Sequence, residues 1–546
     1  MQYAVDLRSS AWLGCPVGPV PCYYSRIGSD SLLWRKSSSS KRSSPAIKLE
    51  KTAVRVVSAV MAETGMLEEP VIAERIGSGP QEGLFPVSNK RVVLVRHGQS
   101  TWNESGRIQG SSDFSRLTTK GETQAETSRQ MLLSDSFDVC FHSPLSRAKR
   151  TAEIIWSSRK KEAMVSMDDL REIDLYSFQG LFKDEGKAQF GDAYKMWQKD
   201  ASNFVIDDHY PVRELWERAG NCWNTILSST KGSSVLVVAH NAVNQALVAT
   251  ATGLGPEYFR HLLQSNCGVS VLDFTPRIGK EGPPYVCLDR LNQTPAPPLQ
   301  SLKKGTQILL VCHGATDSSF RKTFSISDTE PMNMLGIIQS GKTAELLLDV
   351  SVDSLISSPQ PCALATSTAI VQVQEAADCL GGDCVPRYVE VTEMPELRDL
   401  NWGSWHGMPK QEVTVDGGRW QDYLMQNSIV GGESVEEFWQ RAGQAWKSLL
   451  EHVHNLEASE DGGGDGSGKT VVVVGHEILH IAILCHCLGL DQSYLPTFHL
   501  DTSSLSVIDL PDGAFGRTVV RCLNYTAHLG RWAVPVTRPS SDDEEF

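Results

Sequence analysis

Three short segments of the chain carry residue types that handle a phosphate group. Arg96 and His97 stand side by side in RVVLVRHGQSTWN, Arg147 lies in HSPLSRAKRTAEII, and His240 lies in VVAHNAVNQAL. Phosphoryl transfer from a monoester needs a nucleophile, cations around three equatorial oxygens and an acid for the leaving alkoxide. A neutral imidazole can form a phosphoramidate that water later hydrolyses, so His97 is the natural nucleophile. Arg96 and Arg147 offer planar donor forks that match phosphate oxygens. His240 completes the anion pocket as a cation or donor, and Asn103 adds a neutral donor.

Such residues work only if the elements around them bring them together. Short β-branched runs (RVVLV, SVLVV, QILLV, TVVVV) alternate with segments of helical spacing such as GETQAETSRQMLL and SRAKRTAEIIW. Continuous apolar runs of this length mark strands buried on both faces, and their alternation with helices predicts an α/β fold with a mostly parallel sheet sandwiched by helices. Ligands of such sheets bind beyond the C-terminal ends of the strands, where His97 and His240 fall.

The pattern occurs twice. RVVLVRHGQSTWN from Arg91 is echoed by TQILLVCHGATDSS from Thr306, and FDVCFHSPLSRAKRTAEII from Phe137 by VDSLISSPQPCALATSTAI from Val352. LREIDLYSFQG from Leu170 returns as LRDLNWGSWHG from Leu397, and SSVLVVAHNAVNQALVATATGLG from Ser233 as KTVVVVGHEILHIAILCHCLGL from Lys469. Echoes in one order mean a tandem duplication. The expected organisation is a catalytic domain at 88–290, a Pro-rich linker at 291–305 and a second, degenerate domain at 306–535.

Taken together, LVRHGQSTWN, HSPLSRAKRTAEII, LREIDLYSFQG and VVAHNAVNQAL resemble the signature regions of the histidine phosphatase superfamily, whose fold is phosphoglycerate mutase-like. The resemblance covers about residues 90 to 530 and implies two tandem domains of that fold. It assigns the catalytic nucleophile to His97 and the proton donor to Glu172, with Arg96, Asn103, Arg147 and His240 as the substrate-binding set. The implied activity is phosphomonoester hydrolysis on a small anionic sugar phosphate through a phosphohistidine, with no cofactor and no metal. A mutase-like enzyme, or a regulatory scaffold that only binds phosphorylated ligands, stays open.

The second copy departs from this pattern. His313 and His476 persist, but Cys312 stands for Arg96, Cys362 for Arg147, Asp399 for Glu172 and Ser319 for Asn103. Loss of both guanidinium groups predicts a site unable to stabilise a phosphoryl transition state. Cys312 and Cys362 are expected to face one pocket, an arrangement of two thiols suited to redox sensing. The GGES segment typical of the family survives only in the second copy, at Gly431 to Ser434; the first copy has DHYP at Asp208 to Pro211, which brings in His209 and Arg213 as candidates for a substrate carboxylate. Two matches are set aside. GGDGSGKT at Gly463 to Thr470 fits a phosphate loop but precedes a strand instead of opening a helix. HEILH at His476 to His480 fits the zinc-protease helix, yet His476 sits in register with His240. Cys485 and Cys487 around His486 read as core packing.

Composition sets the outer bounds. The chain of 546 residues has 51 Lys and Arg against 65 Asp and Glu, a net charge of −14, which argues against nucleic acid or a membrane surface as partner. Thirteen Cys, an odd and sparse number, fit a reducing compartment better than a disulfide scaffold. Residues 1–60 are expected to be a disordered organelle transit peptide, since the first 50 hold seven Lys or Arg, three acids and eleven Ser, and the resemblance implies the chloroplast stroma as its destination. Residues 536–546 read as a solvated acidic tail.

Overall fold

The computed structural model describes residue 86 and residues 88–530, apart from 160–162, 229–232, 278–281, 295, 300, 301, 303, 380–388, 415–417 and 459–467. The expected transit peptide, the acidic tail and most of the Gly463 to Thr470 stretch lie outside the described residues. No helix among the described residues is long and apolar enough to cross a membrane.

The first copy contributes β1 (Lys90–Arg96), β2 (Val139–His142), β3 (Met164–Ser166), β4 (Ser234–Ala239), β5 (Val269–Thr275) and β6 (Tyr285–Gln293). The second contributes β7 (Thr306–Cys312), β8 (Ser354–Ser357), β9 (Val391–Glu393), β10 (Lys469–Gly475), β11 (Leu505–Leu510) and β12 (Val519–Tyr525). In the first copy β1 to β4 are parallel, in spatial order β3-β2-β4-β1, and the antiparallel pair β5-β6 follows. The second copy repeats this as β9-β8-β10-β7 followed by β11-β12.

Alternating side chains of the central strands explain why these runs are apolar throughout. Val92, Leu94, Val235 and Val237 point to one face, where they share a single core with Ile308, Leu310, Val471 and Val473 of the second copy. Val93, Val95, Leu236 and Val238 point to the other face, and their counterparts Leu309, Val311, Val472 and Val474 form a separate core there. The shared face is covered by the helices Pro211–Ser228, Asn241–Thr252, Val435–Ala458 and Glu477–Cys487; the opposite face by Ser146–Trp156 in one copy and Pro361–Cys379 in the other.

The two sheets are one. Leu291 of β6 pairs with Leu523 of β12, giving twelve continuous strands. The expected boundary at 290 therefore falls inside β6, and Leu291, drawn into the linker by its polar neighbours, is fully buried. Contacts across the joint are reciprocal. Tyr258 Oη donates to Leu488 O at 3.2 Å, and its counterpart Tyr494 donates to Gly253 O at 3.2 Å. Leu262 bridges to Val520, and Phe498, its equivalent, to Leu288. The copies thus relate by a pseudo-twofold axis.

Arg290 locks this joint. Its side chain has no exposed surface, and it donates to Thr526 Oγ1 at 2.8 Å and to Asp501 Oδ2 at 2.6 Å. Burial opposes ionisation of Asp501, but His499 and Arg290 outweigh it and hold the carboxyl below the ordinary carboxylate range. Arg290→Ala is expected to lower unfolding free energy by roughly 3–5 kcal/mol, read from the denaturant midpoint, because Asp501 and the Thr526 hydroxyl lose their buried partner. In Asp501→Asn the loss relative to the native chain should be full above about pH 4 and shrink as pH falls below it, since a depressed carboxyl stabilises only where the unfolded chain is ionised.

Candidate active site

β1 and β4 run parallel with Arg96 opposite Ala239, so the next residues, His97 and His240, leave the sheet side by side. Their rings lie 5.1 Å apart at 64°. His97 Nδ1 sits 2.7 Å from Gly98 O and donates its proton there, which leaves the Nε2 lone pair as the reactive end. Gly98 has no alternative: a Cβ would run into the carbonyl oxygen of Gly121, whose backbone packs directly against this turn. Thr151 Oγ1 accepts from Gly98 N at 3.2 Å and fixes the turn to the helix Ser146–Trp156.

His240 is the N-cap residue of the helix Asn241–Thr252. Ser143 Oγ lies 2.8 Å from its Nε2, and Nδ1 is buried without a partner in the protein. Glu172 sits on the first turn of the same helix: Oε1 accepts from Ala242 N and Val243 N, each at 3.1 Å, and from Ile173 N at 3.0 Å. Helix N-termini present N–H groups and partial positive charge, so a carboxylate here is well placed. Arg218 holds the loop from outside, donating to Arg171 O at 2.9 Å and Glu172 O at 3.0 Å.

The two arginines are pinned from behind. Arg147 is fully buried, and its terminal nitrogens donate to Ser112 O at 2.7 Å and Gly110 O at 2.9 Å. Arg96 donates through Nη1 to Gln264 O at 2.8 Å. In both, Nε is buried and has no partner in the protein. Burial, opposed by Glu172, lowers each guanidinium to about 10, which leaves it charged at neutral pH. His97 and His240 are held well below the ordinary histidine value, first by burial and then by Arg147 and other nearby positive charge, so both are neutral. Asn103 stands on the helical turn Thr101–Glu104, where its Oδ1 accepts from Ser100 N at 3.2 Å and Ser100 Oγ at 2.9 Å, turning the Nδ2 end the other way.

All six residues named from the sequence fall in this one region. Sequence reasoning missed Ser143, which orients His240, and Asn266, whose Nδ2 donates to His97 O at 2.9 Å and reaches Asn103 Oδ1 at 3.5 Å. The shared Ser-Pro of HSP and SSP was a signal for Ser143; for Asn266 there was none. His209 stacks on Tyr176 and meets Glu214 at 3.0 Å, and Arg213 bonds Ser202 O at 3.0 Å and Asn203.

The second copy keeps the frame. Cys312 lies opposite Gly475, His313 and His476 stand 4.8 Å apart at 63°, His313 Nδ1 is 2.8 Å from Gly314 O, and Ser358 Oγ lies 3.1 Å from His476 Nε2. The charge differs. Asp328, Glu330, Asp399 and Glu477 line this cleft, with Lys410 the one Lys or Arg among the described residues. Burial opposes a proton on His313, yet Cys362, the Gly314 carbonyl and Glu477 outweigh it and raise this imidazole to about 10. The expectation that Cys312 and Cys362 share the cleft needs correction. Cys362 lines it, whereas Cys312 places its Sγ 3.7 Å from His480 Nδ1 and packs in the shared core, because the strand turns its side chain toward the helix Glu477–Cys487. His480 is thereby also taken out of any His476-to-His480 metal pair. Cys485 and Cys487 are buried in that helix as expected, and His486 Nε2 lies 3.0 Å from Trp439 O. The strand β10 beginning at Lys469, after the helix Val435–Ala458, likewise agrees with setting the phosphate-loop match aside.

The histidine phosphatase superfamily (branch 1) model matches residues 92–280 and again 308–523. The chain is 55% identical over 465 residues to 2-carboxy-D-arabinitol-1-phosphatase of Triticum aestivum, covering 84% of this chain and 90% of that one. It is 53% identical over 473 residues to a probable 2-carboxy-D-arabinitol-1-phosphatase of Arabidopsis thaliana, covering 85% and 93%. A probable phosphoglycerate mutase, GpmB, of Salmonella choleraesuis (strain SC-B67) is 34% identical over 189 residues, covering 34% of this chain and 85% of that one. Family matches over both copies, added to a shared frame of paired strand-end histidines, mean that the chain belongs to the histidine phosphatase superfamily, branch 1, as a tandem of two copies.

Proposed function

We propose that the first copy hydrolyses 2-carboxy-D-arabinitol 1-phosphate through a phosphohistidine at His97, and that the second copy does no phosphoryl chemistry. The observation that carries the reaction class is the set of three buried nitrogens without a protein partner, Arg96 Nε, Arg147 Nε and His240 Nδ1, beside a neutral His97. Buried donors are rarely left unbonded, and a tetrahedral dianion is the ligand that would satisfy three at once. The two relatives that are 55% and 53% identical over the aligned residues support the substrate.

In the first step His97 Nε2 attacks phosphorus as the ester P–O bond breaks. Arg96 and Arg147 hold the equatorial oxygens, and the leaving alkoxide takes a proton from the Glu172 carboxyl. In the second, water attacks the phosphohistidine, gives its proton to Glu172, and the P–N bond breaks to release phosphate and neutral His97. Positive charge for both steps comes from guanidinium groups, so the proposed chemistry needs no metal. Removal of this phosphate ester, an inhibitor of Rubisco, would connect the chain to that enzyme through a small molecule; the Arg- and Ser-rich first 50 residues support an organelle transit peptide, and with a plant substrate of this kind the organelle would be the chloroplast.

Phosphate release measured across a panel of stromal sugar phosphates tests the substrate; preference for another ester, or phosphate transfer without release as in a mutase, would replace it. His97→Ala should lower turnover by several orders of magnitude and abolish an acid-labile phosphoenzyme. Glu172→Gln should cost about 10²–10⁴-fold on a sugar phosphate and far less on an activated aryl phosphate, whose leaving group needs little protonation. Asp399→Asn, the matching change in the second copy, should leave phosphate release near the native rate. Because His97 is held neutral well below pH 6.5, a rate profile corrected for substrate ionisation should show no loss of nucleophile near that pH.

A further inference from the structure

His313, Cys362 and His476 come together in the second copy as a group the phosphatase reaction does not use. One ligand atom from each lies within 4.8 Å of the other two, and all three residues are buried. The ring orientations suit coordination. Gly314 O takes the Nδ1 proton of His313, so Nε2 is the end left for the cleft, able to coordinate once its own proton leaves. Ser358 occupies Nε2 of His476, which leaves Nδ1 for the cleft. Backing of a ligating imidazole by a carbonyl or hydroxyl is how metal sites fix tautomer and ring direction. The surroundings favour a cation, since among the described residues Asp399, Glu477, Glu330 and Asp328 face a single Lys410. Substituting Cys362 for the arginine of the first copy removes a fixed positive charge and puts a thiol at the equivalent helix position.

We propose that the second copy binds a thiophilic divalent cation, Zn²⁺, through His313 Nε2, Cys362 Sγ and His476 Nδ1, with its fourth position open toward the cleft. Donors around tetrahedral zinc lie about 3.3–3.8 Å from one another, so side-chain shifts of about 1 Å complete the site. Binding replaces the Cys362 S–H and His313 Nε2–H bonds by Zn–S and Zn–N bonds and releases both protons to solvent, with no change of oxidation state. Borderline-soft sulfur and imidazole donors select zinc over magnesium or calcium. The fourth position, near Gln360 and Trp402, can take water or one anionic ligand.

The test uses the untagged full chain, stripped with chelator and titrated with Zn²⁺ against a chromophoric competitor, and separately with Co²⁺. Expected results are one equivalent of zinc per chain, and a cobalt complex with a thiolate charge-transfer band and the d–d intensity of a four-coordinate ion. Cys362→Ser and His476→Ala should weaken zinc by more than about 100-fold and remove the band or alter the d–d pattern, respectively. Cys312→Ser and Cys485→Ser should change neither. Circular dichroism reports whether each variant folds; if Cys362→Ser does not, the cobalt spectrum of the native chain and His476→Ala decide. A native chain without stoichiometric zinc, a cobalt complex lacking the thiolate band, or tight binding that survives loss of Cys362 or His476 would overturn the assignment.

Discussion

Parallel pairing of two neighbouring strands in a fixed register is the constraint on which the rest of the molecule depends. With Arg96 opposite Ala239 in one copy and Cys312 opposite Gly475 in the other, the next residue on each strand must be one of a pair of histidines. Everything else in the first site is fitted around that pair. A helix begins at one histidine and receives Glu172; Gly98 lets a neighbouring turn close on the other; the arginines arrive from the strand end and from the helix Ser146–Trp156. Burying two guanidinium groups is costly, and the Glu172 carboxyl beside them offsets part of that cost whenever it is ionised.

The copies show how far chemistry can drift while a frame stays put. Thr151 and Thr366 hold the glycine after each first histidine at 3.2 and 3.1 Å, and Ser143 and Ser358 hold each second histidine. None of these contacts carries charge, so they survive a change in the sign of the cleft. Replacing two arginines by cysteines while lining the second cleft with four carboxylates inverts the field. The same imidazole is then pushed down at His97 and up at His313.

Much of this was legible in the sequence because it is written in local patterns. Val92 to Val95 read as a strand buried on both faces, and they are; Arg147 and His240 were recognisable from the segments that carry them. What escaped depends on distant partners. Nothing around Leu291 announces that it pairs with Leu523, since an edge strand joins a neighbour through backbone groups that every residue has. Asn266 is a loop asparagine until the fold brings it to His97. Cys312 was placed in the cleft by analogy with Arg96, but a short side chain at a strand end follows the pleat into the core, where a long one can reach past it.

The joint between β6 and β12 bears on why a copy without the arginines persists at all. A twisted sheet is most exposed to unwanted association at its outer strands, whose open N–H and C=O groups template further pairing. In this chain the outermost strands are β3 and β9, each of three residues, while the nine-residue β6 and seven-residue β12 are turned inward against one another. A first copy standing alone would present β6 as an adhesive border and expose the shared core beneath it. The second copy's outline therefore protects that border and core whatever its cleft does.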